Sequence, residues 1–453
     1  MGKVYIIIKL PKIKQFYIDS DTIDEITKFA WIKKVGFGII KYIDIEIGGK
    51  LIDRHYGEWL NIWNELFENK NHYKSVNNMI GNIDELTTFT NGKDEYTLYV
   101  PLQFWFCRES GSSLPLISLQ YSDVKISVEL NNAEDCYVMT PTHYIELFSD
   151  IVNFTPYEYI EQNINGQIAS GLFTHFDFMT KRLYYKKIST NDFQSIPSTS
   201  ISISDITSSI FDSPKNFKYF IRGIDSNYFA MAKPNAIPHI NTISYQQVNN
   251  LMIPNCFLLV EYFYIDNEER QQMLKTRHDY LIEQVCNISE QTVESTNRIV
   301  NIDLIQPSKL LVWVLQQNYI KKQPNNDHFN YTDSYIYKNN KQIGKSLIKQ
   351  ETFKLNSHDR ISKRSYQYFN HVQAHQHLNN ELSEGINLYS FGIYPEKLQP
   401  SGSCNMSMIS NVQLDLTNQN IITIKNTATL RVYSLGYNVL RIVNGIAGLV
   451  FTR

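Results

Sequence analysis

Three histidines, His371, His375 and His377, are the densest set of potential metal ligands in the chain. On a strand, residues two apart share a face, and the three imidazoles could converge on a zinc ion. The Gln-rich surroundings offer no nearby acidic side chain to orient them, so an exposed patch on an edge or loop is the expectation. Glu268 and Glu269 have the right residue type for acid–base work, but neighbours on a helix point about 100° apart and cannot flank one bond. They read as the charged first turn of a helix. Asp53, Arg54 and His55 form a polar triplet near a turn, suited to structural hydrogen bonding. P-loop, GxGxxG, HExxH and GxSxG motifs are absent from the sequence, and with them the usual phosphate cradles and nucleophile elbows. No catalytic, cofactor-binding or metal-binding residue is assigned, and the chain is expected not to be an enzyme.

The formal charge of −2 lacks the basic excess that drives phosphate-backbone binding, so nucleic acid is not expected as a direct partner. No window approaches the roughly 20 consecutive apolar residues of a membrane span, which argues against membrane insertion. Cys107, Cys136, Cys256, Cys286 and Cys404 are far apart, without zinc-type pairs, and are expected to be buried free thiols. Sequons begin at Asn153, Asn287, Asn330 and Asn405, a number that a chain so rich in Asn, Ser and Thr produces by chance.

What must position these residues is a β scaffold. At 453 residues the chain suits two all-β domains rather than one. Short β-branched and aromatic runs between turn residues predict strands at Val4–Leu10, Gly38–Ile47, Tyr96–Phe106, Val124–Leu130, Phe257–Ile265, Lys309–Leu315, Ile421–Ile424 and Thr429–Leu435. Two helices are expected. Tyr56–Phe67 places Trp59, Leu60, Ile62, Trp63, Leu66 and Phe67 on one apolar face, and Asn267–Tyr280 has acidic residues early and basic residues late. Polar stretches at about 187–250 and 317–350 read as surface insertions.

Several blocks, in order, resemble the major capsid proteins of nucleocytoplasmic large DNA viruses. They are IEIGGKLIDRHYGEW (Ile45–Trp59), PLQFWFCR (Pro101–Arg108) with LPLISLQY (Leu114–Tyr121), and VEY (Val260–Tyr262) through EER (Glu268–Arg270) to HDYLIEQ (His278–Gln284). YSF (Tyr389–Phe391) with PEKLQPSGSCN (Pro395–Asn405) follows, then YNVLRI (Tyr437–Ile442) with Gly445 and Gly448. The resemblance implies an all-β fold of two tandem jelly-roll β-sandwich barrels with a few short inserted helices. The expected division is a first barrel at 1–266 with a long surface insertion at about 131–256, a connecting helix at 267–280, and a second barrel at 281–453.

The same resemblance implies a structural role. Three copies would form a pseudo-hexagonal capsomer of an icosahedral shell, with neighbouring capsomers and minor capsid proteins as partners. The location would be the virion, with assembly in the host cytoplasm and an internal membrane beneath the shell. A minor paralogue of the same fold, or a carbohydrate-binding jelly roll, are the alternatives. Family members carry further residues before the segment matching Lys3–Lys12, including a first strand. Barrel one is therefore expected to lack its opening strand: either the start is truncated, or another segment completes the sheet, or an edge is left for a neighbour to cover. Part of the insertion is expected to form a tower on the outer surface.

Overall fold

Gly48 and Gly49 close the first tight hairpin. Both have positive φ, 58° and 75°, the backbone that a two-residue turn needs and that glycine adopts without a Cβ clash. The turn sets the register Ile47↔Lys50 between the strands Ile40–Ile47 and Lys50–Tyr56. Val124–Leu130 pairs on the other side of Ile40–Ile47 and completes a three-stranded sheet. In the computed structural model the described residues are 1–17, 21–149, 151–197, 219–241, 248, 251–252, 255–338 and 341–451.

The Val4–Leu10 strand lies in the middle of a second three-stranded sheet, between Tyr96–Pro101 and Asn255–Val260. Its alternate residues Val4, Ile6, Ile8 and Leu10 are buried, and with Ile43, Ile45, Phe104 and Trp105 they make the first core. That core also takes in Ile282, Leu440, Ile442 and Ala447 from far along the chain. They come from the ends of two 16-residue strands, His278–Val293 and Ala428–Val443, and from the strand Ile446–Leu449.

Those two long strands pair with each other in the second half. Pro307–Gln317 pairs with Ala428–Val443 and with Ile386–Ser390. A four-stranded sheet of Asn297–Asn301, Val412–Asn418, Ile348–Leu355 and His358–Ser365 faces this layer. Leu311, Trp313 and Leu315 point into the space between, against Phe353, Leu414 and Leu416. The alternate residues Leu310, Val312 and Val314 point to the opposite face, where they meet Trp59, Ile62, Trp63 and Leu66 of the helix Gly57–Phe67. Pro307–Gln317 is therefore buried on both sides, which explains its unbroken apolar run.

Between the halves in sequence, seven strands from His143 to Ile240 form a separate sheet with its own core of Ile145, Ile160, Phe173, Leu183, Tyr185 and Ile221. The stretch expected as a surface insertion at about 131–256 thus carries a sheet and a core of its own. The remaining residues of that stretch, 198–218 and 242–247 among them, lie outside the described residues.

Other expectations shift locally. The connecting helix ends at Lys275 and the chain is already a strand from His278. Asp266 caps its start by accepting from the Glu269 amide at 3.0 Å. Ile421–Ile424 is a turn region with a single bridge, Thr423 to Asn426, rather than a strand. Cys107, Cys136 and Cys286 are buried, whereas Cys256 is exposed and Cys404 is half-buried. Among the described residues, no helix is long and apolar enough to cross a membrane.

Glu351 is a wholly buried carboxyl in the second core. Its Oε2 accepts from Trp313 Nε1 at 2.5 Å, while Oε1 has no partner. Burial pushes its pKa up to about 8. The folded chain thus holds a proton that the unfolded chain releases near the ordinary value of 4.5. Stability should fall as pH rises from there to about 8, by about 1.4 kcal/mol per pH unit at most, and then level off. Glu351→Gln keeps the acceptor for Trp313, so thermal melts should show it more stable than wild type at pH 8.5, with the difference shrinking by pH 5.

Candidate assembly surface and the junction between the halves

The strand Asn255–Val260 is paired on one side only among the described residues. Its register with Val4–Leu10 puts Cys256 and Leu258 opposite Ile8 and Ile6, so all four belong to the core-facing side. Ile6 and Ile8 are fully buried, yet Leu258 is 36% exposed and Cys256 is also exposed. The first core therefore lies open at this edge. On the opposite side Phe257 and Leu259 are exposed, and the chain continues into exposed Tyr262, Phe263 and Tyr264. An apolar band of this kind on a free strand edge is a ready template for pairing and marks an interaction surface. Val4–Leu10 itself is covered on both flanks, and the strand edge left unpaired among the described residues is that of Asn255–Val260.

The junction between the halves is held by polar groups that short motifs brought together. Glu283 accepts from both Lys309 and Arg108, and the three side chains are nearly inaccessible to water. The Arg108 guanidinium also lies over the Trp63 ring, 3.9 Å from its centroid. Burial pushes the Lys309 ammonium down to about 8 against the opposing pull of Glu283. Next to this group, Asp53 Oδ1 accepts from the Val285 amide at 3.0 Å. Gln284 donates to the Ile52 carbonyl and accepts from Gln306 at 2.9 Å and Asn438 at 2.8 Å. The strands Lys50–Tyr56 and His278–Val293, which belong to different sheets, are thus tied together by the side chains of Asp53 and Gln284.

The polar triplet divides between two places, and neither His55 nitrogen has a hydrogen-bond partner among the described residues. His55 Nε2 lies 3.0 Å from Asp53 Oδ2, and the His55 ring stacks on Phe104 with centroids 4.3 Å apart. Both side chains are buried in the junction. Arg54 instead makes a two-pronged contact with Asp44 at 2.5 and 2.6 Å, which raises the Arg54 pKa. At the start of the junction helix, Glu58 accepts from Tyr433 at 2.7 Å, Tyr331 at 3.1 Å and Arg431 at 3.2 Å. Its place in the first helical turn also suits a negative charge. Gly57 precedes it because a Cβ there would sit 2.2 Å from the Phe37 carbonyl oxygen.

The histidine group is a different matter. His371 lies in a π-helical turn, and His375 and His377 lie in the short helix that follows, so the period of two assumed for a strand does not apply. His371 Nε2 is 3.4 Å from Glu384, an acidic neighbour that sequence spacing did not show, and His377 Nδ1 lies 3.2 Å from the Ile393 carbonyl. Among the described residues no group of three His, Cys, Asp or Glu side chains is placed to hold a metal ion. Of the sequons, Asn330 is completely buried and its amide donates to Asp327 and to the Ser334 carbonyl, which makes it unavailable to a glycan in the folded chain.

Glu283 and Lys309 were not singled out in the sequence. The available signal was a lone charge inside an otherwise apolar strand, as in Tyr280–Val285 and Lys309–Leu315. Charged residues are almost never fully buried unless paired, so each predicts a partner without naming it.

The comparisons with known proteins agree with this architecture. The family described as "Large eukaryotic DNA virus major capsid protein" matches residues 269–448, and "Major capsid protein N-terminus" matches residues 1–170. A protein of Acanthamoeba polyphaga mimivirus called "Probable capsid protein 4" is 38% identical, covering 100% of this chain and 86% of the relative. The major capsid protein of Phaeocystis pouchetii virus is 26% identical, covering 100% and 87%. Among solved structures, the Faustovirus major capsid protein superposes with a TM-score of 0.64 at 10% identity, covering 98% of this chain and 85% of that one. A chain of the PBCV-1 virus capsid gives 0.57 at 18% identity, covering 100% and 90%. Their shared architecture is the double jelly roll, and the two sandwiches with their few short helices described above follow it. By sequence and by fold, the chain belongs to the family of major capsid proteins of large eukaryotic DNA viruses, whose members build the virion shell.

Proposed function

We propose that the chain works as a homotrimeric, non-enzymatic shell subunit, three copies forming a pseudo-hexagonal capsomer that packs against further capsomers and minor capsid proteins. The observation that carries this reading is the edge of Asn255–Val260, where an apolar core face has no paired strand among the described residues and stays partly exposed. A monomer would expose this edge to aggregation, whereas a closed assembly covers it. Each copy supplies two similar sandwiches, 1–266 and 281–453 joined by 267–280, so three copies present six wedges to a hexagonal lattice. The seven-stranded sheet from His143 to Ile240 forms the outward tower. Assembly takes place in the host cytoplasm, above an internal membrane that the chain does not enter, and without direct contact to nucleic acid.

Size-exclusion chromatography with light scattering should give three times the chain's 52.9 kDa. Leu258→Lys, which places a charge on the open core face, should lower the trimer fraction at a given concentration. A wild-type chain that stays monomeric at micromolar concentration would overturn the reading.

A second reading concerns copy number. Mimivirus has a protein called "Capsid protein 1" that is 25% identical to this chain, against 38% for its "Probable capsid protein 4". A specialised paralogue within the shell is the alternative, and quantitative mass spectrometry of purified particles separates it from the main subunit.

A further inference from the structure

A cavity of 140 Å³ lies where three parts of the fold meet. One wall is the segment Ala30–Lys33, a second is Tyr159 with Leu172 and Lys186 of the seven-stranded sheet, and the third is Asn325–Asp327 with Tyr335 and Tyr337 of the second half. It is far larger than the roughly 10–15 Å³ that admits a single water. Its lining contains two lysines and one carboxylate.

The carboxylate is already engaged. Tyr337 donates its hydroxyl to Asp327, 2.9 Å from each carboxylate oxygen, and Asn330 donates to the same group at 3.0 Å. The lysines are not. The Lys33 ammonium sits 2.7 Å from the centroid of the Tyr337 ring, and neither it nor the Lys186 ammonium donates a hydrogen bond to any described residue. Burial pushes both down to about 8, and the two ammoniums repel each other while Asp327 draws them toward the charged form. The nearby amides are occupied as well. Asn325 donates to the Ile188 and Tyr319 carbonyls, and Asn326 to those of Glu134 and Tyr137.

The cavity thus combines a partly open space, two half-buried lysine ammoniums that donate no hydrogen bond to a described residue, and an excess of one positive charge. Partly desolvated charges without acceptors are costly, and the remedy is an anion that offers several oxygens. We propose that the cavity between Lys33 and Lys186 binds a small oxyanion of the phosphate class, which ties the Ala30–Lys33 segment, the seven-stranded sheet and the 325–337 loop to one another. Lysines act on such a ligand as point charges rather than as a planar fork, so charge and size select it more than shape does. Phosphate and sulfate should both be accepted.

The test uses the full chain and inorganic phosphate at pH 7, with ionic strength held constant by sodium chloride. Wild type should show a melting temperature that rises with the logarithm of phosphate concentration above the dissociation constant. Lys33→Gln and Lys186→Gln should stay flat, and sulfate should reproduce the wild-type rise. Phosphorus NMR supplies a readout independent of folding in the variants: the inorganic phosphate line should broaden on adding wild-type protein and sharpen again on adding sulfate. A rise of equal size in both variants, or a phosphate line that wild type leaves unbroadened, would overturn the proposal.

Discussion

Glu283→Ala should destabilise the chain by about 3–5 kcal/mol, the range for leaving one side of a buried ion pair without its partner. The expected severity comes from geometry. Glu283 is 2% exposed and serves two cations, Lys309 and Arg108, so its removal strands both of them inside the junction. Arg108 retains its hydrogen bonds to the Gln103 carbonyl at 3.0 and 3.2 Å and its place over Trp63, but Lys309 retains only its approach to the Tyr437 ring. Urea denaturation should report a lower midpoint with an unchanged slope. The double variant Glu283→Leu with Lys309→Met should recover part of the loss, because an apolar pair of similar volume avoids the desolvation that both charges incur. A double variant less stable than Glu283→Ala would count against the ion pair as the cause.

Trp59→Ala should cost about 3–5 kcal/mol, the range for deleting a buried aromatic side chain. Trp59 is wholly buried on the helix Gly57–Phe67, with its ring 5.5 Å from Tyr433 and 6.1 Å from Trp63. This helix belongs to the first half by sequence and covers the outer face of the second sandwich. The loss should therefore fall on the contact between the halves more than on either core. Limited proteolysis should detect cleavage after shorter digestion, and the thermal melt, expected to be single in wild type, should broaden or split. Trp313→Ala is the comparison: that ring lies inside the second core, against Phe369 at 5.4 Å, so its loss should lower one transition without separating two.

The burial pattern of Pro307–Gln317 shows why local pattern predicted elements better than their neighbours. Its apolar residues announced a strand, and glycines at 48 and 49 suit a tight reversal, since both depend on residues within a few positions of each other. The partner of Lys309 was not legible, because Glu283 lies 26 residues away and comes beside it only when two strands flank Ala428–Val443. The histidines failed for the opposite reason. Their spacing was read with a strand period, whereas local hydrogen bonding made the segment helical and brought Glu384 close by a turn of the chain.

By itself, the sequence determined a mostly β chain with an apolar helix at Tyr56–Phe67, a helix beginning at Asn267 with acidic residues early and basic residues late, and a family of shell proteins, since period, charge placement and ordered motifs are properties of contiguous residues. Only the tertiary structure decided the rest. It made the ends of His278–Val293 and Ala428–Val443 part of the first core, left the edge of Asn255–Val260 unpaired among the described residues, gave the insertion a sheet and core of its own, and set Lys33 and Lys186 around one cavity. Each of these depends on pairing between segments tens to hundreds of residues apart, and burial is decided by what lies across the sheet rather than by what lies next in the chain.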